Sequence, residues 1–162
     1  MGANLGMKTM KNALLITAAA VLLGSPLLSS SAQGQVNPGN LKWGPAPAGL
    51  PRGAQASVLA GNPERPGIFT IRLRFPAGYA VPPHSHTADE HVTVISGQLS
   101  LGMGPRVRPR RMANLVTGGF ANAPARMAHY ASTRSGAVIQ ITSQGPFAIN
   151  YVNPADDPRR HP

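Results

Sequence analysis

Residues 78–97 read GYAVPPHSHTADEHVTVISG, and the spacing inside this stretch decides how the rest of the chain is understood. Along an extended strand, side chains at i and i+2 share a face, so His84 and His86 can turn both imidazoles toward one point. Glu90 has the same parity, and a bend between His86 and Glu90 decides whether its carboxylate joins them. His91, of opposite parity, is expected to point outward. His129, far along the chain, is the candidate that closes the set from another strand. Three neutral imidazoles and one carboxylate make a borderline-hard donor set, suited to Mn, Fe, Co, Ni or Zn and poorly suited to Ca. Four such ligands on a six-coordinate ion leave two positions open. A His-X-His pair alone is common on protein surfaces, and a lone His129 reads more readily as a packed or surface residue than as a ligand.

Outward from this stretch the chain alternates short apolar runs with turn residues. Gln55–Ala60 and Ile68–Phe75 read as strands, the second with Ile71, Leu73 and Phe75 on one face and Arg72 and Arg74 on the other. Gly61-Asn62-Pro63 and Pro76-Ala77-Gly78 bound it. His91–Ile95, the turn Ser96-Gly97 and Gln98–Met103 read as a hairpin. Gly104–Asn114 reads as a solvated connection, because Arg106, Arg108, Arg110 and Arg111 cannot all be buried unpaired. Gly119–Ala123, His129–Ser132, Ala137–Thr142 and Phe147–Val152 complete about nine strands. The 18 glycines and 17 prolines suit tight turns rather than long helices. The pattern predicts an all-β sandwich or barrel without internal repeat.

The spacing also resembles a family. Gly78, five residues, His84-Ser85-His86, three residues, Glu90, six residues and Gly97 match the first motif of the cupins residue by residue. Gly118, five residues, Pro124 and His129 match the second in part, with Arg126 where a glycine and Thr133 where an asparagine is usual. The resemblance covers Ile68 to Val152. It implies a double-stranded β-helix, the cupin jelly-roll barrel, with a metal ion inside its mouth held by His84, His86, Glu90 and His129. The chain also looks like a group of small exported bacterial cupins that share Trp43, the run Pro82–Gly97 and the ending Gly145-Pro146-Phe147 to Asp157-Pro158-Arg159. Related cupins commonly pair, which implies a homodimer.

Before the barrel, Lys8 and Lys11 precede the apolar run Ala13–Leu23, and Ser30-Ser31-Ala32 supplies the small residues that signal peptidase reads. Residues 1–32 are therefore expected to be a signal peptide cleaved after Ala32. A membrane anchor is the competing reading, but the run is short, broken by Gly24 and Pro26, and below the roughly 20 residues a span needs. Without an anchor, the mature chain has no transmembrane segment and is expected to be periplasmic or secreted. Residues 33–52, rich in Pro, Gly and Asn around Trp43, read as an extended arm, 53–155 as the barrel and 156–162 as a tail. The chain has no cysteine, so neither disulfides nor thiolate ligands are available. With 15 Lys and Arg against 5 Asp and Glu it is strongly basic. Export, and the lack of a basic recognition helix or aromatic platform, argue against nucleic acid and for an anionic small molecule, an acidic partner or a lipid surface.

Arg72, Arg74, Tyr130 and Gln140 are candidates for substrate binding. An inward-facing Arg72 or Arg74 could clamp a carboxylate by paired hydrogen bonds, whereas the alternative is an exposed strand face. Asp156-Asp157 beside Arg159-Arg160 reads as a solvated charge cluster. The leading functional expectation is a metal-dependent enzyme acting on a small molecule, with the ion as Lewis acid or oxygen-binding centre. The competing one is a module that binds or senses a metal or metabolite without turnover, and a third is a structural ion. Loading outside the cytoplasm favours Zn or Mn over Fe, with Ni and Co also compatible.

Overall fold

In a computed structural model, the protein is described over residues 1–2 and 34–160. The expected signal peptide and its cleavage site lie outside the described residues. Among the described residues ten strands carry the fold: β1 (Gly44–Pro45), β2 (Gln55–Ala60), β3 (Gly67–Phe75), β4 (Ala80–Ser85), β5 (Glu90–Met103), β6 (Ala113–Val116), β7 (Phe120–Ala123), β8 (His129–Ser132), β9 (Ala137–Gly145) and β10 (Asn150–Tyr151). The only helices among the described residues are single 3-10 turns. Strand order runs β1-β2-β3-β9-β5-β8-β4-β10, with β6 and β7 also paired to β5, so one curled sheet closes around an apolar interior. Residues 35–52 belong to the same compact unit as these strands. They contribute β1, which pairs with β2, and Trp43, whose ring lies 4.0 Å beneath the Arg74 guanidinium.

The interior follows from alternation. Phe69, Ile71, Leu73 and Phe75 of β3 are buried, and the register Ile71 to Ile141 and Leu73 to Ile139 sets them beside the buried face of β9. Val92, Val94, Leu99 and Leu101 of β5 and Val81 of β4 fill the remaining wall. Each of these side chains contributes about 1.5 to 3 kcal/mol by leaving water, which makes this layer the main source of stability.

Two expectations are corrected by the structure. The hairpin at Ser96-Gly97 is absent: Glu90–Met103 is one strand of 14 residues that passes between sheet halves. Its first part pairs with β7 and β9, its second with β6 and β8, and the register against β9 shifts between Val94 and Ser96. Gly97 makes the passage possible. It has φ +80°, and a β-carbon there would collide with the Gly136 carbonyl oxygen. The connection after Met103 is shorter than expected, because β6 begins at Ala113 and adds to the edge of β5. The extended segment expected at His84 is the strand Ala80–Ser85, which runs through Pro82 and Pro83. Its ladder to β8 shifts register between Val81 and His84, across the two residues that lack an N–H to donate.

Candidate metal centre

β4 ends at the first histidine pair, β5 begins with the glutamate and β8 begins with the last histidine. His84 lies opposite His129 in the β4–β8 ladder and opposite Tyr151 in the β4–β10 ladder. His86 and Glu90 flank a short bend, and Glu90 opens β5 with its side chain inward. The bend is fixed from several directions: the Asp89 carboxylate accepts the Ala125 N–H at 2.7 Å, its carbonyl accepts the Ser143 hydroxyl at 2.7 Å, and the His86 carbonyl accepts the Arg126 N–H at 2.8 Å. Arg126 is the one described non-glycine residue at positive φ, 63°, where the cupin motif has glycine.

All four side chains are buried, Glu90 at 5% exposure and His129 at 2%. One ring nitrogen from each of His84, His86 and His129 lies within 4.8 Å of the others. The Glu90 Oε2 stands 3.2 Å from His129 Nε2 and 3.6 Å from His86 Nε2. Donors about 2.1 Å from a shared ion stand about 3.0 Å apart at right angles, about 3.4 Å at the tetrahedral angle and about 4.2 Å across it, so the spacing suits one small cation.

The outer nitrogens fix the tautomer. His84 Nδ1 donates to the Pro82 carbonyl at 2.8 Å, His86 Nδ1 to the Ala148 carbonyl at 2.8 Å and His129 Nδ1 to the Met127 carbonyl at 3.1 Å. A carbonyl oxygen only accepts, so each Nδ1 holds the hydrogen and the neutral ring presents its Nε2 lone pair inward. His86 Nε2 and His129 Nε2 are buried without a hydrogen-bond partner. Orphaned buried acceptors are costly unless something occupies them, and a divalent cation satisfies this set.

Electrostatics keep two of the three rings neutral and favour a proton on the third. Burial, reinforced by His129 and His86, pushes the His84 imidazole down to about 4. Burial also holds His86 below its ordinary value against the pull of Glu90. Burial works to raise Glu90, but the neighbouring histidines, His129 first, outweigh it and hold the carboxyl low. For His129 burial works downward, and contact with the Glu90 carboxylate outweighs it and raises the ring.

The remaining wall is apolar: Leu73, Phe75, Val81, Val92, Leu99, Leu101, Ile139, Ile141 and Phe147, around a free volume of about 40 Å³. Phe147, which sequence reasoning did not single out, stacks on His86 with ring centroids 4.3 Å apart and meets Phe69 edge-on. None of the four substrate-binding candidates reaches this cavity. Arg72 lies on the outer face, where its Nε donates to Gln140 Oε1 at 3.2 Å, and Arg74 is exposed over Trp43. Tyr130 alternates with His129, so its ring turns away and packs over Gly102, and its hydroxyl oxygen accepts the Arg108 N–H at 2.8 Å. His91 is exposed and stacks on Phe120. Asp157 pairs with Arg159 at 2.7 Å, outside the cavity.

A family model, described as the ChrR cupin-like domain, matches residues 31–148, well over half of the chain. The chain belongs to this cupin family. No curated protein matches the sequence. Among solved structures, the cupin is similar to the polyketide cyclase RemF of Streptomyces resistomycificus, with 14% identity, 79% of this chain and 91% of that chain covered, and a TM-score of 0.65. It is also similar to a candidate acetylacetone dioxygenase of Methylibium petroleiphilum, with 20% identity, 77% and 84% covered, and a TM-score of 0.59. An RmlC-like cupin of Shewanella frigidimarina aligns at 16% identity over 67% and 87%, with a TM-score of 0.53. At these identities the likeness is one of fold, and the cupin barrel serves many reactions.

Proposed function

We propose that this cupin is an exported protein in which His84, His86, Glu90 and His129 hold one divalent transition-metal ion that acts as a Lewis acid on a small molecule. The observation that carries the reading is the convergence of three imidazoles, each fixed by a backbone carbonyl at Nδ1, on a buried carboxylate in an otherwise apolar cavity. When bound there, such an ion supplies polarisation of a coordinated oxygen. The protein supplies the rest: the carbonyls of Pro82, Met127 and Ala148 orient the rings, Glu90 offsets the ion's charge, and Phe147 with the aliphatic wall excludes water. Zn or Mn is the preferred occupant, because loading after export places the site where Fe(II) is disfavoured.

A second reading, a binding or sensing module without turnover, is favoured by one feature. The cavity offers about 40 Å³, and apart from the ligand set no side chain lining it can transfer a proton. The two readings separate on an open coordination position. Cobalt-loaded protein titrated with azide is expected to show a changed visible spectrum, because a Lewis-acid centre must accept an outside donor. A spectrum indifferent to azide would leave the ion closed off and give the case to the binding or structural reading.

A further inference from the structure

The connection between β5 and β6 is the most concentrated charge on the molecule, and the metal centre makes no use of it. Arg106, Arg108, Arg110 and Arg111 fall within six residues and are all exposed, and among the described residues none of the four guanidiniums makes an ion pair or a hydrogen bond. The loop is nonetheless held in shape. Gly104 N–H donates to the Ala128 carbonyl at 2.7 Å, Arg108 N–H to the buried Tyr130 hydroxyl at 2.8 Å, and a 3-10 turn closes over Pro109–Arg111. Four like charges on a restrained loop repel one another unless something anionic lies against them.

Alternate residues divide between two sides. Arg106, Arg108 and Arg111 line one concavity, of about 390 Å³, with Met103, Gly104 and Pro105 and no carboxylate. Val107, Pro109 and Met112 turn to a neighbouring apolar groove of about 400 Å³ over Pro82, Pro83 and Tyr130, in which Asp156 is the one acidic side chain. Val107 is 54% exposed and Met103 43%. Guanidiniums interleaved with exposed apolar side chains suit a surface that presents phosphates above hydrocarbon.

We infer that the Arg106–Arg111 loop docks the protein on an anionic phospholipid surface, the four arginines on headgroup phosphates and Val107 and Met103 in the interface. The inference is independent of whether the histidine site holds metal. The loop leaves β5 at Met103, which lies opposite His129 in the β5–β8 ladder, so docking holds the histidine end of that sheet at the lipid.

The test is sedimentation of the protein, purified after export, with phosphatidylglycerol–phosphatidylcholine vesicles and with phosphatidylcholine alone. Wild type is expected to bind the anionic vesicles only, and to bind less as salt rises from about 0.1 M to about 0.5 M. Replacing the arginines by serine should weaken binding about fivefold for Arg110→Ser and several hundred-fold for all four. Replacing all four by lysine should keep most of it. Every variant carries the same N-terminus, and an unchanged melting temperature verifies folding, so a difference between them belongs to the loop. Equal binding by wild type and the serine variant, or no preference for anionic vesicles, would overturn the inference. So would arginine-dependent binding to polyglutamate without binding to vesicles, which would assign the loop to an acidic polypeptide.

Discussion

His84, His86 and His129 present the same nitrogen to the cavity for the same reason, a backbone carbonyl at Nδ1, yet their proton affinities differ. His84, pushed down to about 4, and His86, held low by burial, are neutral near pH 7, whereas contact with Glu90 raises His129. The one proton that a metal ion must displace is therefore the second proton that His129 takes up at Nε2, the nitrogen that faces the Glu90 carboxylate 3.2 Å away. At a pH below the raised value of His129, binding is expected to release close to one proton rather than three, and affinity to fall about tenfold per unit of acidification. Calorimetric titration with zinc in buffers of different ionisation enthalpy measures the number, and release of two or three protons would count against this assignment. The approach of these residues was legible in two ways: parity put His84 and His86 on one face with Glu90 in step across the bend, and the second cupin motif, not spacing, pointed to His129. Pro82 and Met127 stand two residues before the rings they orient, whereas Ala148 lies 62 residues from His86, beyond any local pattern. Tyr130 and Gln140 could not be placed as readily, because polarity does not tell the two faces of a curled sheet apart.

Elements fared according to how local their causes are. β2 and β8 have the limits their alternation gives, and β3 and β9 differ only at their ends. β5 was misread because Ser96-Gly97 carries turn chemistry, while the decision belongs to β9 and β6, which pair with its two halves. β6 was hidden in the shadow of the arginine run, and the extended segment at His84 was read without its start at Ala80. Gly97→Ala tests the passage directly. A β-carbon there meets the Gly136 carbonyl, and the backbone sits at φ +80°, so a loss of about 2 to 3 kcal/mol is expected, read as a lower urea midpoint with unchanged slope. A neutral substitution would mean that β5 does not cross between sheet halves at this residue.

Across the whole molecule, the ligands come from β4, the bend after it, β5 and β8, so an ion there ties together segments that are distant in sequence. Binding to the folded state alone adds stability by mass action, about 4 kcal/mol when free ion stands a thousandfold above its dissociation constant. Chelation should accordingly lower the melting temperature of metal-loaded wild type by about 10 °C or more and leave that of His86→Ala unmoved. Identical melting of wild type before and after chelation would argue against an ion that supports the fold. The barrel itself was readable from strand spacing and motif; reaction and substrate are not, because this fold sets a centre and its shape without choosing a chemistry.

If the three histidines and Glu90 form one metal site, occupancy depends on each of them. Elemental analysis of the protein purified from its native host, compared with His86→Ala and His129→Ala, tests it most directly. One equivalent of a transition metal, zinc or manganese, is expected in wild type and none in either variant; wild type without metal, or variants that retain it, would contradict the account.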